Sequence, residues 1–150
     1  MLSHISGFIT KQAFATICCV DSDNTPYCFN CTFTFDTEKN LLYFKSSAET
    51  RHVKLFLQNR HLAGTILPDK IKPLVIQGVQ FTGTLLDSTD PEASEASKKY
   101  HRQHPIAIAK KGDVWTVKVD TLKMTDSTKG FGAKIHWERE AVAETTAVPS

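Results

Sequence analysis

Alternation is the strongest pattern in this chain. Tyr27, Phe29, Cys31, Phe33 and Phe35 occupy every second position, and Cys28, Asn30, Thr32 and Thr34 fill the gaps. Successive side chains on a strand point to opposite faces. The segment therefore predicts a strand with an aromatic face for a core and a small, polar face for another contact. Upstream, the apolar stretch Ala15 to Val20 predicts a strand, and Asp21-Ser-Asp-Asn-Thr-Pro26 is dense in turn formers. Ser6 to Ala15 reads as a short helical or irregular lead-in. Asp36 to Asn40 predicts the next turn, and Leu41 to Lys45 a third strand.

Helical signals separate the later strands. Ser46-Ser-Ala-Glu49 has the spacing of a capping box. It predicts a short helix from about Ala48 to Gln58 with Val53, Phe56 and Leu57 on its inner side. Strands are predicted at His61 to Leu67 and at Leu74 to Leu86, where Val75, Val79, Phe81 and Leu85 largely share a face. Asp90-Pro-Glu92 joins an N-cap acid, a proline at the first helical position and a second acid at the positive helix end. That helix should reach Arg102 and stop before Pro105. Val114 to Val119 alternates again, with Trp115, Val117 and Val119 on one side. Leu122 to Thr125 extends the sheet, Gly130-Phe-Gly132 is a loop, and Lys134 to Glu138 is a closing strand. Residues 1–140 form one domain, and 141–150 read as a flexible tail.

About six strands joined by tight turns, with two modest helices, point to a mainly β fold. The expectation is an antiparallel barrel with peripheral helices rather than a parallel sheet. Neither G-x-G-x-x-G nor a Walker A sequence occurs. A chain of 150 residues buries roughly 70% of its unfolded surface, enough for one core. The net charge of +2 and the lack of a Lys/Arg block argue against a nucleic-acid partner. The apolar stretch Ala13 to Val20 is too short to cross a membrane and lacks the basic start of a signal peptide. The expected compartment is the cytoplasm, where the four cysteines stay reduced.

Candidate chemistry concentrates where the third strand meets the helix. Ser46, Ser47 and Thr50 supply hydroxyls there, and Arg51, His52 and Lys54 supply cationic or cationisable groups. A helix start has free N–H groups and a positive dipole end, so it suits a phosphate. Arg51 can grip such a group with two parallel bonds. The bland reading of the same residues is a capped, solvated helix.

The run Leu41-Leu-Tyr-Phe-Lys-Ser-Ser, then Thr50-Arg-His52, then Gln58-Asn-Arg-His-Leu-Ala63 resembles the pyridoxamine 5'-phosphate oxidase-like family of flavin-binding split barrels. Val75-Ile-Gln-Gly-Val-Gln-Phe-Thr-Gly83 resembles that family's strand ending in glycine. More narrowly, Thr50-Arg-His52, Gly78-Val-Gln-Phe81 and Gly130-Phe-Gly132 resemble a branch of small bacterial proteins of unassigned activity. The resemblance implies a dimeric split barrel with FMN sites shared between two subunits. Thr50, Arg51 and His52 would stand in the family's Ser-Arg-Lys phosphate motif. Lys45, Ser46 and Ser47 would lie along the flavin ring or ribityl chain. Gln77 or Gln80 would reach the cofactor from the barrel wall, and Lys134 and Trp137 would come from the partner subunit. The chain lacks the Arg-Leu-x-Pro ending of the true oxidases, which argues against vitamin B6 oxidation.

Other constellations carry less. Cys28 and Cys31 have C-x-x-C spacing, but on a strand they point to opposite faces, as do Cys18 and Cys19. Neither metal nor disulfide chemistry is expected of Cys28 with Cys31. His101 and His104 flank the end of a helix with no third ligand in view. Haem would need His52, His61 or His136 as an axial ligand. The expected function is an FMN-dependent oxidoreductase handling a small molecule. The alternatives are a non-enzymatic flavin or haem binder, or a cofactor-free interaction module.

Overall fold

A computed structural model describes residues 2–129 and 133–140. The chain runs α1 (Leu2–Ile9), β1 (Phe14–Val20), β2 (Pro26–Asp36), β3 (Leu41–Ser46), α2 (Arg51–Gln58), β4 (His61–Ile66), β5 (Gln77–Leu85), α3 (Ala96–Gln103), β6 (Asp113–Asp126) and β7 (Lys134–Glu138). Single 3₁₀ turns occupy Pro91–Ala93, Pro105–Ala109 and Ser127–Lys129. The strand order is β3-β2-β1-β4-β5-β6-β7, and β6 also pairs with β3. Six antiparallel strands thus close on themselves, and β7 continues from the far half of β6. This is the expected antiparallel barrel, with one strand added.

The alternating residues of β2 behave as the pattern requires. Phe33 and Phe35 enter the barrel core with Ile17, Phe44, Phe56, Phe81 and Val117. The polar face has a different fate from the one the sequence suggested. The Thr32 hydroxyl meets the Tyr100 hydroxyl at 2.8 Å, and Thr34 is buried. Helix α3 therefore covers these two positions, leaving Asn30 facing outward with its amide oxygen accepting from Thr16 at 2.7 Å. β3 is buried on both faces. Leu42 and Phe44 look into the barrel, and Leu41 and Tyr43 pack under Ala96 and Tyr100 of α3.

Several boundaries moved. α1 begins earlier than the Ser6 to Ala15 lead-in, because Ile5, Phe8 and Ile9 have helical spacing and plug one end of the core. The apolar residues Leu74 to Ile76 precede β5 instead of belonging to it. Leu74 has φ +65° and is fully exposed. The helix expected from Asp90 splits into a 3₁₀ turn, where Asp90 caps the Glu92 N–H at 2.9 Å, and the separate α3.

The segments Val114 to Val119 and Leu122 to Thr125 are one strand, β6. Opposite Thr82 and Gly83 its register slips, leaving Asp120 unpaired between Val119 and Thr121. This bulge switches the buried positions from Val117 and Val119 to Leu122 and Met124. Gly83 sits at the slip, where a Cβ would lie 2.6 Å from Val117. The loop Gly130 to Gly132 and the tail 141–150 lie outside the described residues.

Candidate functional site

The end of β3 and the start of α2 form a tightly organised corner. Thr50, with extended φ −68° and ψ 151°, is the N-cap, and its hydroxyl accepts from the Val53 N–H at 3.4 Å. The Ser46 to Glu49 pattern is therefore not the cap. Ser47 instead closes a local turn, its hydroxyl accepting from the Glu49 N–H at 3.2 Å and its carbonyl from the Thr50 hydroxyl at 2.8 Å. The inner face of α2 is Val53, Leu55 and Phe56, and Leu57, expected inside, is exposed because the helix packs against the barrel along that stripe. Gly112 presses on this turn from outside, with φ +130°; a Cβ there would lie 2.9 Å from the Ser46 carbonyl carbon.

Arg51 and Lys54 are both exposed at the corner, and Arg51 is the one at its first helical position. Its side chain is 60% exposed, its guanidinium lies 5.1 Å from the Tyr27 ring centre, and Asp21 is 3.9 Å away. His52 is held differently. Its ring stacks on Phe29 and its Nε2 is 2.8 Å from the Ser46 hydroxyl. Burial lowers its pKa, so the neutral form is favoured. The Ser46 carbonyl in turn accepts from the Trp115 indole N–H at 2.8 Å. Lys45 projects to the other side of β3, where its ammonium donates to the Ala107 carbonyl at 2.7 Å and meets His101 Nε2 at 2.9 Å.

Ser46, Ser47, Thr50, Arg51 and His52 are thus brought together, with Lys45 back to back with them. The remaining candidates lie elsewhere in the same chain. Ser46 pairs with Asp113 at one end of β6, whereas Gln77 pairs with Asp126 at the other. Gln77 donates to Asp126 at 3.3 Å, and Gln80 is exposed on the outer face of β5. Lys134 donates to the Thr125 hydroxyl at 2.9 Å, and Trp137 lies under the Arg139 guanidinium at 5.6 Å.

At this second end lies a cleft of about 910 Å³ between α1 and the Leu67 to Ile76 loop. Phe8, Leu67 and Met124 give it apolar walls, and His4, Lys11 and Gln77 give it polar ones. The loop is pinned at both margins. The Asp69 N–H donates to Gln12 and the Ile76 N–H to the Ser127 hydroxyl. Beside it, the carboxylate of buried Asp126 is 2.7 Å from His4 Nε2 and accepts from the Thr128 N–H; these donors outweigh its burial and hold its pKa down at about 2.

Several residues were not legible as site partners. Tyr27, Phe29 and Asp21 grip Arg51 and His52 from across the barrel end, which only the β1–β2 register reveals. Cys28 and Cys31 do face opposite ways: Cys28 is exposed, and burial pushes the Cys31 thiol up to about 12. His101 and His104 are engaged, the first by Lys45 and Ser97, the second by the Phe33 carbonyl at 2.9 Å. No cluster of three metal-ligating side chains occurs among the described residues, and none of their helices is long and apolar enough to cross a membrane.

No family model matches the chain. It is 36% identical over 135 residues to a UPF0306 protein of Serratia proteamaculans, covering 90% of this chain and 93% of that one. Among solved structures it superposes on a haem-binding protein from Mycobacterium smegmatis with a TM-score of 0.73 at 13% identity, over 87% of this chain and 55% of that one. It also superposes on an FAD-binding protein from Mesorhizobium loti with a TM-score of 0.64 at 10% identity, over 81% and 91%. Both likenesses are likenesses of fold, and the fold is the split barrel.

Proposed function

Since the chain belongs to the UPF0306 family of bacterial proteins, we propose that this member is a cytoplasmic FMN-binding split barrel, and an FMN-dependent oxidoreductase for a small molecule. The observation that carries the reading is the start of α2. There the exposed Arg51 opens an eight-residue helix whose first two N–H groups, those of Arg51 and His52, are left free by the Thr50 cap on Val53. This donor set fits a phosphate monoester: fixed N–H donors, a planar cation and hydroxyls, with no carboxylate among the described residues nearer to Arg51 than Asp21.

Arg51 holds the phosphate, while Thr50 and Ser47 fix the turn that aims the helix start. His52 contributes shape and a hydrogen bond more than charge, because burial keeps it neutral. The redox chemistry itself would come from the flavin ring. The cleft beside Gln77 offers an apolar wall for a ring and a small substrate. Arg51 and Gln77 belong to opposite ends of one barrel, so this reading needs a second copy. Two barrels related by a two-fold axis would set the Arg51 end of one beside the Gln77, Lys134 and Trp137 end of the other. Haem would be left His61 and His136, since His52 already meets Ser46 and stacks on Phe29.

The test is a visible spectrum of the purified protein, followed by titration with FMN and with riboflavin. The expected result is FMN binding that exceeds riboflavin binding, with sedimentation as a dimer. Equal binding of the two would remove the phosphate assignment. A Soret band would replace flavin by haem, and no chromophore binding would leave an interaction module. If flavin binds, its reduction by a nicotinamide cofactor separates an enzyme from a store.

A further inference from the structure

The four cysteines divide into two inward-facing thiols and one outward-facing pair that the sequence spacing conceals. Cys18 on β1 and Cys28 on β2 are direct cross-strand partners. The Asp21 N–H donates to the Thr25 carbonyl, and the Phe33 N–H to the Ala13 carbonyl. These bonds mark the hydrogen-bonded pairs of the ladder, and alternation makes Cys18 with Cys28 a non-hydrogen-bonded pair. In such pairs the Cα atoms are about 4.5 Å apart and the side chains approach most closely. A disulfide takes Cα separations of about 4.4–6.8 Å. Ala15, Ile17 and Cys19 point inward along β1, so Cys18 points outward, on the face that bears exposed Cys28.

We propose that Cys18 and Cys28 form a redox-active dithiol, which converts to a cross-strand disulfide on reaction with a low-molecular-weight disulfide. Cys28 is the attacking thiol, because it is exposed. Its thiolate displaces one thiolate from the oxidant and forms a mixed disulfide. The Cys18 thiolate then attacks Cys28 Sγ, forming the cross-strand bond and releasing the second thiol. The protein loses two electrons and two protons, and the oxidant becomes two thiols. Cys18 suits the second role: burial first, then the neighbouring Cys28 thiol, raises its pKa to about 11. It is a poor opening nucleophile beside a well-placed electrophile. Cys19 is spoken for, its buried thiol donating to the Tyr27 carbonyl at 3.5 Å. A reversible disulfide of this kind suits a reducing compartment. The inference does not depend on the cofactor reading.

The experiment equilibrates the native full-length protein with oxidised glutathione, alkylates the remaining thiols and reads intact mass and peptide map. The wild type should lose two alkylation sites and yield a Cys18–Cys28 peptide, reversed by reduced glutathione. Cys18→Ser should stop at a glutathione adduct on Cys28, since no resolving thiol remains. Cys19→Ala with Cys31→Ala should still form the disulfide. Four alkylatable thiols, a stable glutathione adduct on the wild type, or a Cys19–Cys31 linkage would each overturn the proposal. A circular dichroism spectrum of each variant keeps misfolding distinct from lost chemistry.

Discussion

The imidazole of His52 lies flat on the ring of Phe29, with centroids 3.6 Å apart and planes 8° from parallel. Burial lowers the His52 pKa below its ordinary value of about 6.5. As pH falls through that value, the unfolded chain takes the proton before the folded one does. Stability is therefore full above about pH 6.5 and declines toward the folded pKa. Urea midpoints measured from about pH 5 to pH 8 should fall on the acid side. His52→Gln should flatten that slope; an unchanged slope would place the titration elsewhere.

Arg51→Ala should weaken FMN binding roughly tenfold to a hundredfold, the loss of a charge-assisted bond of about 1.5–3 kcal/mol. Riboflavin affinity should barely move. Stability should change by less than about 1 kcal/mol, because the exposed Arg51 reaches Asp21 only at 3.9 Å. Parallel titrations with the two ligands give the answer, and equal losses would assign Arg51 to the ring or to the fold.

Asp126 ties α1 to the end of β6. Its folded pKa of about 2 lies below the ordinary 3.8, so its contribution is present above that value and lost as pH falls toward 2. The linked stabilisation is about 2 kcal/mol. Asp126→Asn should lose it at neutral pH and show a shallower acid limb in thermal melts between about pH 2 and pH 5. Hydrogen exchange should then rise first in Leu2–Ile9.

Gly64→Ala should destabilise the barrel by about 1–3 kcal/mol or more. Its Cβ would lie 2.3 Å from the Phe81 ring and 2.6 Å from the Thr16 carbonyl oxygen. Gly78→Ala has 3.5 Å to its nearest neighbour and should be near neutral. Denaturant midpoints of the two variants test the contrast; equal midpoints would mean that the Phe81 ring moves aside freely.

The barrel was legible because burial and period coincide on β2, where each aromatic position is also an inward position. Legibility failed where one pattern served two structures. Ser46 and Thr50 both suit an N-cap, and only the turn around Ser47 decides between them. The apolar run Leu74 to Ile76 looks like strand, yet a left-handed Leu74 after Pro73 turns it into exposed loop. The face of Thr32 and Thr34 read as a contact face without a partner, because the helix that covers it lies more than sixty residues later in the chain. The Cys18–Cys28 partnership was hidden in a different way. A hairpin folded about Asp23 places position 18 opposite 28, so the turn, rather than the spacing of the cysteines, was the signal. The corner at the start of α2 was half legible: Arg51 was visible in the sequence, and its neighbours Tyr27 and Asp21 were not.

Closure of the barrel also has a cost in time. Leu41 meets Lys118 and Ser46 meets Asp113, so the last seam joins segments far apart in the chain. β1, β2 and β3 can assemble from neighbouring hairpins as soon as they are made. Until β6 arrives, however, β3 presents an open ladder edge lined by Leu41, Leu42, Tyr43 and Phe44. Non-local topologies of this kind fold in milliseconds to seconds rather than microseconds. During synthesis that edge is an exposed, apolar strand of the kind that pairs with other chains, and closure of the seam by β6 removes it.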